Sequence, residues 1–146
     1  MTLQPVPNWQ TLTTTSPYQT AVAIAHYLQA GNLSEANSGI KELIEALGRS
    51  EKRALKSQLI RLMLHIIKWH TQPDKRSRSW VASIYDARDE IADIQAETPS
   101  LTDAVISELW DKSFQSAKRA AEAEMNQVTT LTQLSWDAVF AASYEI

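Results

Sequence analysis

The sequence predicts an all-α protein, and three observations carry that expectation. Glycine occurs only 3 times in 146 residues. Good helix formers are spread along the chain, and apolar residues recur at three- and four-residue steps instead of alternating. The expected architecture has about five helices: an N-terminal helical hairpin, a long central helix and a helix–turn–helix corner at residues 69–80. A chain of this length buries roughly 68–70% of its unfolded surface, enough for one ordinary core.

The first 15 residues, with Pro5, Pro7 and the run "TLTTTS", read as an extended N-terminal arm, leaving residues 16–146 as a single all-α domain. Ser16 before Pro17 is a helix start, an N-cap followed by proline at the first helical position. The helix through "YQTAVAIAHYLQA" stops at Gly31-Asn32, and Ser34 is the expected next cap. Residues 17–48 then form a helical hairpin. Ile40, Leu43, Ile44, Leu47, Leu55, Leu59, Leu62, Ile66 and Trp69 keep one helical phase across Gly48-Arg49-Ser50. That spacing fits one bent helix or two coaxial ones. "LIRLMLHIIKW" (59–69) is apolar almost all round and is the expected core helix, with Arg61, His65 and Lys68 on one polar stripe.

Pro73 ends that helix. The next begins around Lys75–Ser79, runs to about Glu97, and buries Trp80, Ile84, Ala87, Ile91 and Ile94. Pro99 closes it, and "SLTD" (100–103) resembles a capping box for a last long helix to about Asn126. One or two further turns around Leu131–Phe140 carry Leu134, Trp136 and Phe140, apolar groups that would dock them on the core.

Composition excludes several functional classes. There are no cysteines, hence no disulfide framework, cysteine nucleophile or thiolate zinc site. "MTLQPVPNWQ" lacks the charged and apolar regions of a signal peptide, and no apolar run approaches membrane-spanning length. A cytoplasmic location with no membrane association is the expectation. Glu-x-x-His is absent, so the di-iron bundle pattern is missing. Asp86, Glu90, Asp93 and Glu97 share a helix face, which reads as a solvated surface, and His65 and His70 do not share one. No nucleophile–base motif, phosphate-binding loop or dinucleotide fingerprint occurs. No metal, no cofactor and no catalytic residue is expected, and enzymatic activity is unsupported.

Charge is segregated. The net charge is −3, yet residues 49–80 hold nine basic residues against Glu51 and Asp74. Within them "WHTQPDKRSRSW" (69–80) places Lys75, Arg76 and Arg78 near a helix N-terminus, where positive charge is disfavoured. "GRSEKRALK" adds Arg49, Lys52, Arg53 and Lys56 on one face. Lys75, Arg76, Arg78, Arg49 and Arg53 are thus candidates for binding an anion or an acidic partner. The competing reading is internal architecture, with the side chains folded back on helix carbonyls or acidic helices. Trp69 and Trp80 are expected to close the end of the core, not to stack on bases. On the hairpin, Val22, Ile24, Leu28, Ile40, Leu43 and Ile44 offer more apolar surface than two helices bury, which suggests a homodimer.

Residues 46–80, "ALGRSEKRALKSQLIRLMLHIIKWHTQPDKRSRSW", resemble the family known as domain of unknown function number 29, found mainly in cyanobacteria. The likeness is carried by Leu47 to Arg53, His65, Lys68-Trp69, Gln72-Pro73 and Arg76 to Trp80, and extends to "ETPSL" at 97–101. The first helix departs from the family pattern in lacking tryptophan. The resemblance implies an all-helical fold and a hairpin that serves self-association. It brings no activity and no catalytic residues. The overall expectation is a small interaction module meeting an acidic partner through its basic surface, with nucleic-acid association through Arg76/Arg78 and Arg49/Arg53 as the alternative.

Overall fold

A helix forms where the sequence suggests an extended arm. In the computed structural model, which describes residues 6–146, Trp9–Thr15 is helix α1. The Asn8 side chain accepts from the Thr11 N–H at 3.2 Å. Thr14 and Thr15 turn their hydroxyls back onto the carbonyls of Gln10 and Thr11, both at 2.8 Å. These bonds occupy the threonine hydroxyls on carbonyls of their own helix. The rest of the expected arm, residues 1–5, lies outside the described residues.

The chain divides into two compact units, Met1–Glu51 and Lys52–Ile146. In the first, Ser16 ends α1 by donating its N–H to Leu12 O and caps α2 (Pro17–Gln29) by accepting from the Gln19 N–H. At the other end of α2, Gly31 sits at φ +77°, and Gly31 and Asn32 return their N–H groups to Leu28 and Tyr27. This pair of bonds is a Schellman stop, which needs a residue tolerant of positive φ. Helix α3 then starts at Leu33, one residue before the expected cap. Asn32, not Ser34, accepts from the Glu35 N–H.

Trp9, Ile24 and Ala36 form the core of this unit, with Leu12, Ala23, Tyr27 and Leu43 packed around them. Trp9 meets Tyr27 edge-on at 5.8 Å and donates its indole N–H to Glu35 at 2.9 Å. Room for the indole exists because residue 39 is glycine. A Cβ there would lie 2.7 Å from Ile24 and 2.8 Å from the Trp9 ring.

Helix α3 runs unbroken from Leu33 to Thr71. Past Lys52 it is the spine of the second unit. Leu55, Leu59, Leu62, Met63, Ile66 and Ile67 are fully buried, the last five of them in the 59–69 stretch expected to be the core helix. After a 3-10 turn at Pro73–Lys75, α4 (Arg78–Glu97) contributes Ile84, Ala87 and Ile91 to the core. Helix α5 (Asp103–Met125) adds Ile106, Phe114, Ala117 and Ala121. The capping box expected at 100–103 does not form: Thr102 caps α5 without a side-chain bond. Gln95 steadies this corner instead, donating to Leu101 O and Asp103 Oδ1, both at 3.1 Å.

The last segment carries one of the one or two turns expected, placed at its C-terminal end. Residues 127–135 carry no helix, and Asp137–Ala141 makes a single π-turn. It is nonetheless docked. Val139 is fully buried, the Trp110 indole N–H bonds Leu134 O at 3.0 Å, and Trp136 stacks on Trp110 at 5.4 Å. Among the described residues there is no strand, and no helix is long and apolar enough to cross a membrane.

Candidate interaction surfaces

The cationic corner at 69–80 is built by two helix ends meeting across Gln72–Ser77. Arg76 folds back onto the end of α3, although it stays exposed. Its Nε donates to Trp69 O at 2.9 Å and its guanidinium lies over the Trp69 ring, 4.5 Å from the centroid. It thereby satisfies a carbonyl that the end of α3 leaves without a helical partner, at the negative end of the helix dipole. Trp69 is 6% exposed and meets Tyr144 edge-on, so it closes the core end as expected. Ser77 is the N-cap of α4 and accepts from the Trp80 N–H at 3.2 Å. Lys75 and Arg78 remain exposed.

The polar stripe of α3 is turned toward its neighbouring helices. Arg61 pairs with Asp86 of α4 at 2.7 Å, and Lys68 pairs with Glu124 of α5 at 3.2 Å while lying over Trp80. Between them, the His65 Nδ1–H donates to Arg61 O at 2.8 Å. Burial holds the His65 imidazole below its ordinary pKa, with Lys68 and Arg61 pushing the same way and the carbonyl bond and Glu124 opposing. A depressed folded-state pKa means the unfolded chain takes up the proton first. The stabilisation from neutral His65 is therefore complete above pH 6.5 and is lost as pH falls below it. The urea midpoint should drop between pH 7 and pH 5.5, and His65→Gln should make that part of the profile shallower, leaving the share of His70, whose imidazole burial and Arg76 also hold low. An equally steep profile in the variant would exclude His65 as the cause.

Arg53 lies sixteen residues before Trp69 on α3, about 24 Å at 1.5 Å per residue. It does not join the corner, and Arg49 and Arg53 are simply exposed. What the sequence reading missed is that α5 supplies cations beside Lys56. A shallow groove of about 320 Å³ is lined by Lys56 of α3 and by Asp111, Lys112, Gln115, Ser116 and Arg119 of α5. Lys112 and Arg119 are seven apart, two helical turns on one face, which was the available signal. It was masked because both stand in the acidic remainder of the chain.

The first unit has an apolar face of its own. Leu33, Ile40, Ile44 and Leu47 fall within an arc of about 60° on α3 at 100° per residue. They are 63%, 37%, 64% and 46% exposed. Leu28 of α2 is 47% exposed. Trp9 and α1 occupy the other flank, over Gly39 and Tyr27. Of the sequence candidates for self-association, Val22, Leu28, Ile40 and Ile44 are exposed and Leu43 is half-buried, whereas Ile24 belongs to the core beneath Trp9. Among the described residues, no three His, Asp or Glu side chains gather closely enough to hold a metal ion.

A family model described as "Domain of unknown function DUF29" matches residues 16–143. No curated protein matches the chain, and no solved structure does.

Proposed function

Since the chain belongs to the DUF29 family, whose function is unknown, we propose a role from its own surfaces: a small cytoplasmic interaction module that forms a homodimer and meets an acidic partner. The observation that carries the reading is the exposed apolar row Leu33, Ile40, Ile44 and Leu47 on one face of α3. Its exposed apolar side chain amounts to a few hundred Å², on the order of the largest apolar patch of a typical monomer, which is often functional. A standard interface buries about 800 Å² per partner, somewhat over half of it apolar. One hairpin face against its copy fits that size, with a two-fold axis making the surface self-complementary.

The basic surface supports the acidic partner, through Lys75 and Arg78 at the corner and Arg53 along α3. Nucleic acid is the weaker reading, because Arg76 is engaged with Trp69 and that indole is buried instead of free to stack.

Light scattering of the purified protein tests self-association. The wild type is expected at twice the chain mass at about 50 µM, a concentration well above the micromolar Kd of a modest interface. Ile44→Glu is expected at the single-chain mass with an unchanged helical circular dichroism spectrum. Ile24→Glu would not serve, since it strikes the folded core. A wild type that stays monomeric, or an Ile44→Glu that stays dimeric, overturns the proposal.

A further inference from the structure

We propose that the α3/α5 groove at Lys56, Lys112 and Arg119 binds an acidic helical segment of a partner protein. The inference rests on the interaction-module reading but uses a site that the basic stretch 49–80 does not define. Its first support is that the three cations are uncommitted. Among the described residues the ion pairs are Arg61–Asp86 and Lys68–Glu124, and none involves Lys56, Lys112 or Arg119. Glu122, three residues after Arg119 on α5, is engaged elsewhere. Its Oε2 accepts from the Thr129 N–H at 2.9 Å, which holds the chain leaving α5.

Spacing is the second support. Lys112 and Arg119 stand about 10 Å apart along α5 at 1.5 Å per residue. Lys56 reaches the same groove from α3. One phosphate cannot meet charges that far apart, whereas carboxylates at i and i+7 on a helix repeat the same interval. Third, the charge is mixed. Asp111 lines the groove among the cations and disfavours a continuous polyanion such as a nucleic-acid backbone, whereas a peptide can place a neutral or donor group opposite it. Gln115 and Ser116 supply further hydrogen-bonding groups, and the aliphatic stems of the lysines and Arg119 give the groove apolar walls. A protein segment matches this pattern better than a strand of phosphates.

The test uses the full chain and a fluorescein-labelled, alanine-based helical peptide with Glu at i, i+3, i+7 and i+10. A single-stranded oligonucleotide of equal charge runs in parallel. Fluorescence anisotropy at about 50 mM salt is expected to give peptide binding that weakens at least tenfold in Lys112→Glu/Arg119→Glu. Lys75→Glu/Arg78→Glu is expected to change it less than twofold. An unaltered peptide affinity in the groove variant overturns the proposal, as does oligonucleotide binding equal to or tighter than peptide binding. Light scattering on the wild type and the groove variant separates the two readings. A groove variant that stays dimeric but has lost the peptide supports this site. A dimeric wild type that does not bind the peptide removes the site while leaving self-association standing, and a monomeric wild type that binds it removes self-association while leaving the site.

Discussion

Arg88→Met is expected to lower the unfolding free energy by about 3 kcal/mol, since it removes two charge-assisted hydrogen bonds worth roughly 1.5–3 kcal/mol each. From α4, the Arg88 Nε donates to Val139 O and an Nη to Ala142 O, both at 2.8 Å. The guanidinium also faces the rings of Tyr85 and Tyr144. These carbonyls belong to the π-turn and its exit, where the backbone has no regular ladder to use. Methionine keeps much of the stem volume, so the loss isolates the donors. Release of the C-terminal segment should unstack Trp136 from Trp110 and red-shift the fluorescence at urea concentrations below the main transition. Arg88→Lys keeps the charge without the fork and should recover less than half of the loss. A methionine variant within 0.5 kcal/mol of wild type would mean the segment is held by its apolar contacts alone.

Gly39→Ala and Gly48→Ala make the same chemical change in the same helix and are expected to have opposite signs. Alanine is better than glycine in a helix by about 1 kcal/mol, and at Gly48 a Cβ would meet nothing within 4 Å. That variant should gain roughly 0.5–1 kcal/mol. At position 39 the added methyl would press into the Trp9 ring and Ile24 at under 3 Å, and neither side chain has a free end to move aside. Overpacking of this kind costs about 1–3 kcal/mol, so the net change should be destabilising and should loosen α1. The decisive readout is thermal unfolding by circular dichroism for both variants. A stabilised Gly39→Ala would show that α1 is not packed on α3 through Trp9.

Several local features were legible because their causes lie within four residues. Ser16 caps the helix that Pro17 opens, Gly31 ends it, and Pro73 stops α3. The apolar phase through Leu55, Leu59, Leu62 and Ile66 marked the core helix, and all four are fully buried. The errors have distant causes. Helix α1 looked extended because its threonines and flanking prolines are poor helix formers. What pins it is Trp9 in the space left by Gly39, thirty residues away. Ser34 and the 100–103 box were plausible caps, but Asn32 and Gln95 stood where the geometry required them.

The candidate surfaces divide in the same way. Residue counts along the chain located the cations and the apolar excess of the hairpin, because charge and hydropathy are properties of each residue alone. Which of those groups is free depends on neighbours brought from elsewhere. Arg76 is taken up by Trp69 O and Lys68 by Glu124, while Lys56 acquires Lys112 and Arg119 from a helix whose surroundings are acidic. Ile24 and Ile44 have the same side chain and lie on the same hairpin, yet one is core and the other surface. Helix periodicity assigns each residue to a face, but only packing decides which face is covered.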